Sequence, residues 1–97
     1  MEEKFLFYIK LAGKYEATGN TRHYSNGALL PAPAELRIMQ YSDDSGFYLL
    51  YFDETGKEQT DTFHDTLQQA FHQAEFEFGV KEHDWIKQAS IVWKSNV

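Results

Sequence analysis

The 97-residue chain has no cysteine, which excludes disulfides, thiol nucleophiles and thiolate-bound metals and makes a reducing compartment its natural setting. Long apolar runs are missing too: Phe5–Ile9 is stopped by Lys10, far short of what crosses a bilayer. The opening Met-Glu-Glu-Lys is acidic where a signal peptide is basic. A soluble, cytoplasmic protein with no membrane partner is the expectation. Bases are scarce: nine lysines and arginines face fifteen carboxylates, the net charge is −6, and the bases do not cluster. A surface of that sign repels phosphate, so direct nucleic-acid binding is not expected.

What remains is apolar (42%) and markedly aromatic (16%), enough for one core and therefore a single domain over residues 1–97. The chain is organised around residues 58–79, a polar strand running into the one long amphipathic helix. Leu67, Ala70, Phe71, Ala74 and Phe78 share one stripe at helical spacing, and the two alanines imply close approach to a sheet. Thr66 and Gln69 form a capping box at its start, with Asp65 as a competing cap, and Gly79 suits a left-handed C-terminal cap. Phe76 falls on the opposite side, among Gln68, Gln69 and His72.

Before the helix, alternation predicts strands at Lys4–Ala12, Glu35–Tyr41, Phe47–Phe52 and Glu58–Phe63. In the first, Phe5, Phe7, Ile9 and Leu11 share one side. The last is polar enough for an edge. Asp43-Asp44-Ser45-Gly46 and Asp53–Lys57 are turns between them. Within 13–34, Gly19-Asn20 and Asn26-Gly27 are turn signals; Tyr15–Thr18 and Thr21–Ser25 either pair as a hairpin or form an ordered loop. After Gly79 come a helical turn over Lys81–Trp85 and a last strand over Ser90–Lys94. The fold class is therefore α+β: an antiparallel β-meander of about four strands with one main helix, in the C-terminal half, packed on one face. Phe47–Phe52 is apolar on both faces, which leaves a second face to be covered by the 13–34 loop, by a second protomer or, the preferred cover, by the tail with Trp85, Ile86, Ile91, Val92 and Trp93.

Signatures of chemistry are absent. There is no H-E-x-x-H, no G-x-S-x-G and no phosphate-cradling glycine loop. His72 with Glu75, His64 with Asp65 and His83 with Asp84 read as exposed polar neighbours, so no catalytic residue, metal or cofactor is expected. The feature that stands out is charge. Residues 53–84 hold nine carboxylates against two lysines. The candidate partner-binding surface is the outer side of the helix with its rim: His72, Glu75, Phe76 and Glu77, with Asp53, Glu54, Asp61, Asp65, Glu82 and Asp84. An exposed ring amid acids is an anchor-and-rim pattern for a protein interface.

The segments Pro31-Ala-Pro-Ala-Glu-Leu-Arg-Ile38, Tyr48-Leu-Leu-Tyr-Phe-Asp53, Asp61-Thr-Phe-His-Asp-Thr66 and Gln73-Ala-Glu-Phe-Glu-Phe78, followed by Trp85, resemble small stand-alone bacterial proteins, some of them similar to the immunity proteins of polymorphic toxins. The strand–turn–strand–helix order also resembles the antitoxin fold of the HicB type, without that type's Pro-Asp segment. The first resemblance implies an inhibitor that blocks a basic site on a toxin or nuclease. The second implies a homodimeric structural or regulatory module. A small enzyme using a His–carboxylate pair is a third reading, and a pocket in which such groups converge would favour it.

Overall fold

The computed structural model describes residues 2–41 and 45–94. Its strands are β1 (Glu2–Lys10), β2 (Tyr24–Ser25), β3 (Ala28–Leu29), β4 (Glu35–Tyr41), β5 (Phe47–Phe52), β6 (Glu58–His64) and β7 (Ile86–Lys94), with helix α1 (Leu67–Phe78) and a 3-10 turn at Glu82–Asp84. The main sheet is antiparallel with order β6-β5-β4-β1-β7. The expected meander is there as β4-β5-β6, with β6 at one edge. The sheet has five strands, one more than expected, because the tail joins it as β7.

That placement corrects the expected role of the tail. It extends the sheet beyond β1 and does not lie across the second face. Trp85 instead turns to the helix side, where its ring packs 5.8 Å from that of Phe71. The side chains of Ile91, Val92 and Trp93, and the Asp43-Asp44 part of the predicted turn, lie outside the described residues.

The core lies between the sheet and α1. Ile9, Leu36, Ile38, Leu49 and Tyr51 from the strands meet Ala70, Phe71, Ala74 and Phe78 from the helix. The alanines let the helix backbone come close, and the rings fill the space beside them. Thr66 caps the helix by accepting from Gln69 N–H at 3.1 Å, while the Gln69 side chain accepts from Asp65 N–H, one residue earlier than a standard capping box requires. Gly79, at φ 71°, donates its N–H to the Glu75 carbonyl. A β-bulge in β1 between Phe5 and Phe7 changes which face the strand presents. Phe7 and Ile9 face the helix as expected, but Phe5 joins Met39, Tyr48, Leu50 and Phe52 on the other face.

Residues 11–34 form a strap over the helix side of the sheet. Its hairpin is the Asn26-Gly27 turn joining β2 and β3, with φ 53° and 79° at the two turn residues, and does not pair Tyr15–Thr18 with Thr21–Ser25. The strap is held where the helix leaves carbonyls without intrahelical partners. Thr18 N–H donates to Glu77 O at 2.7 Å, while the Thr18 hydroxyl and the Asn20 amide both donate to Phe76 O.

The second face carries no further layer among the described residues. Arg37 spreads over its rings instead, 4.2 Å from the Phe52 centroid and 5.3 Å from that of Phe5. Glu35 accepts from Arg37 and Lys10, both at 2.6 Å.

Candidate functional site

β6 is one of the two edge strands of the sheet, unpaired on its outer side among the described residues, and along it the acids are set out in a row. Glu58, Asp61 and Phe63 pair across from Phe52, Leu50 and Tyr48, so the three share the open face with those residues. A bulge at Gln59 brings Glu58 and Asp61, three apart in sequence, onto one side. Both are exposed, as are Glu54 at one end of the strand and Asp65 at the other. No lysine or arginine lies between residues 58 and 65. Burial and the charge of Asp61 push the Glu58 carboxyl above its ordinary value. Phe63 is 49% exposed, its ring against that of Tyr48.

The outer side of α1 is less acidic than its sequence suggests. His72 is exposed and Phe76 is 45% exposed. Glu75, however, is bound by Lys81 at 2.6 Å, which holds its carboxyl below the usual value. Beyond the helix, Asp84 is committed to its own turn, accepting from Lys81 N–H at 2.9 Å, and Glu82 is exposed. Asp53 folds back on the β5–β6 turn, accepting from Thr55 and Lys57 N–H. The ten predicted residues therefore do not form one patch. Asp53, Glu54, Asp61 and Asp65 follow the β6 edge, His72, Glu75 and Phe76 lie on the helix, and Glu82 and Asp84 lie beyond its end.

Glu77 corrects the predicted surface outright: it is 2% exposed and belongs to the interior. Helical spacing explains why. Residue 77 is seven from Ala70 and three from Ala74, which puts it within the buried stripe. Its carboxylate accepts from the Tyr51 hydroxyl and, at 2.8 Å, from the Gln73 amide, and it meets His23 Nε2 of the strap at 2.8 Å. Burial first, and then the charge and hydrogen bond of Glu77, push the Tyr51 phenol far above its ordinary value, so it stays a donor. The His23 ring lies 4.7 Å from that of Tyr51. Close by, Thr62 and His64 Nε2 are 2.8 Å apart, and burial lowers the His64 pKa against the pull of Glu77 and Asp65.

Next to this cluster is a cavity of about 230 Å³ between the strap and the sheet. Leu29, Leu30, Pro31 and Phe78 supply apolar wall; Arg22, His23, Thr60 and Glu77 supply the polar groups. Sequence reading missed His23, Tyr51 and Gln73 because their meeting depends on where the strap docks. Glu77 itself was detectable as a carboxylate in register with alanines.

Among the described residues no group of three or more His, Asp or Glu side chains is placed to hold a metal ion, and no helix is long and apolar enough to cross a membrane. Comparison with protein-family models, curated proteins and solved structures gives no match to this chain.

Proposed function

We propose that this chain is a non-enzymatic binding protein that takes a basic protein partner on the acidic edge strand β6, in the manner of an inhibitor blocking a basic site on a toxin or nuclease. The observation that carries the reading is the free edge with Glu54, Glu58, Asp61 and Asp65 along it and no fixed cation between Glu58 and Asp65. An unpaired strand edge offers backbone hydrogen bonds to an extended segment. Carboxylates in a row repel a second copy of themselves and steer a basic chain, while Phe63 supplies desolvated contact. Relative to the sequence expectation, the working acids move from the helix to the strand, since Glu77 is inside and Glu75 is already paired.

A histidine and a carboxylate do converge beside a cavity, the arrangement that would favour an enzyme. Here both Glu77 oxygens and His23 Nε2 are engaged with each other or with Tyr51 and Gln73, and the phenol is held protonated. The cluster supports a positioning role for the strap.

The test is to isolate the protein captured from the native host, purify it, and follow its association with the wild-type chain and with a Glu58→Lys/Asp61→Lys variant over increasing salt. The wild-type on-rate should fall steeply with salt. The double variant should be slower by about tenfold or more at low salt, with a flatter salt dependence. An unchanged on-rate would remove β6 as the docking edge. Charge reversal at Glu75 should have less effect, because Lys81 already neutralises it.

A homodimer joined through the open face is the second reading, favoured by the exposure of Phe63 beside Tyr48. Sedimentation at micromolar concentration decides it, since a monomer leaves that face without a self-partner.

A further inference from the structure

Glu77 is an unusual carboxylate for this molecule. Glu35, the other buried acid among the described residues, touches two permanent cations, and exposed Glu75 touches one. Glu77 is the more deeply buried of these two acids, yet among the described residues its only basic contact is His23, which carries charge only when protonated. A buried carboxylate without a fixed counter-charge is costly, even when hydrogen bonds satisfy its oxygens. The apolar-walled cavity reaches that carboxylate and also meets Thr60 of β6. A cavity of about 150 Å³ holds a benzene-sized guest. The present one is larger, with room for a guanidinium on a short aliphatic stem.

We infer that the cavity under the strap is a receptor for an arginine side chain of the basic partner, with the guanidinium on Glu77 in place of His23 and the stem along Leu30, Pro31 and Phe78. The inference rests on the reading of β6 as the docking edge, because a segment laid along β6 passes the cavity beside Thr60. The Tyr51 ring, 4.7 Å from that of His23, lines the cavity beside the carboxylate. Displacing His23 frees one Glu77 oxygen, Oε1, for a guanidinium N–H, while Oε2 keeps Tyr51 and Gln73. A guanidinium is more weakly hydrated than an ammonium, which is why arginine fits this enclosed site better than lysine. Arg22 also lines the cavity, exposed and without an ion pair among the described residues, so it competes with the guest.

The test uses the whole chain and N-acetyl-arginine-N-methylamide, followed by amide chemical shifts, with the citrulline analogue as its neutral isostere. The arginine probe should shift amides of the strap, Tyr51 and Glu77 and bind about tenfold or more tighter than the citrulline probe, as expected for a charge-assisted pair. Arg22→Ala should tighten the arginine probe, and Glu77→Gln should reduce its binding to that of citrulline. Should Glu77→Gln fail to fold, the two probes on the wild-type chain decide the matter alone. Equal binding of both, no shifts at the cavity, or preferential binding of 3-phenylpropionate (an anion of similar bulk) overturns the inference. Loss of the arginine effect with the β6 charge dependence intact removes only the cavity. Loss of the charge dependence removes the docking edge.

Discussion

Two carboxylates are buried on opposite faces of the same sheet, and different chemistry keeps each in place. Glu35, on the open face, lies between Lys10 and Arg37, whose side chains are 69% and 32% exposed. Glu77, on the helix face, is held by a phenol, an amide and an imidazole, with no permanent cation in contact among the described residues. The open-face site is a surface ion network that happens to cover rings. The helix-face site is an interior network that ties strap, strand and helix together. Glu35 already has its counter-charge from lysine and arginine, whereas Glu77 has none from either among the described residues.

The contrast is most open to attack by truncation. Glu77→Ala should cost about 3–5 kcal/mol in urea denaturation, because it leaves the buried Tyr51 hydroxyl and the half-buried Gln73 and His23 without their acceptor. Glu35→Ala should cost only about 1–2 kcal/mol, since Lys10 and Arg37 can return to water. Equal losses would break the comparison. Tyr51→Phe removes one donor from Glu77 and should lower stability by about 1–3 kcal/mol in the same measurement.

Acid titration sharpens the contrast from the other side. Burial alone would raise the Glu35 carboxyl, but hydrogen bonds and charge from Lys10 and Arg37 prevail and hold it below 4.5. Its folded value being depressed, its contribution is fully present above the ordinary carboxyl range and is lost as pH falls through that lower value. Glu35→Gln should therefore flatten the acid limb of the urea midpoint, and an unchanged limb would mean that the ion network contributes nothing. His64, also depressed by burial, acts in a higher window: stability begins to fall as pH drops below 6.5, and His64→Gln should remove that step. The smallest effect is at the helix end. Gly79→Ala, at a φ of 71°, should cost about 1 kcal/mol of thermal or urea stability.

The helix was legible because its period is local. Leu67, Ala70, Phe71, Ala74 and Phe78 repeat at 3.6 residues, and the cap residues Thr66 and Gly79 act within a few residues of themselves. The β4-β5-β6 meander was legible for the same reason, as were the faces of β5. The bulge at Leu6 was not, because a one-residue slip in β1 leaves its composition unchanged while moving Phe5 to the other face. The expected acidic helix face failed at Glu77, where assigning every carboxylate to solvent overrode a spacing that placed it inward.

The sequence by itself determined an α+β domain with an amphipathic helix, a polar edge strand and an acidic middle, because propensity, alternation and charge are properties of neighbouring residues. Only the tertiary structure decided that the tail becomes a fifth strand, that residues 11–34 strap the helix end, and that His23, Tyr51, Gln73 and Glu77 meet beside a cavity. Those contacts join residues as distant in the chain as Thr18 and Phe76 or Glu2 and Lys94, and their existence depends on which unsatisfied carbonyls, carboxylates and strand edges the packed elements leave to be met.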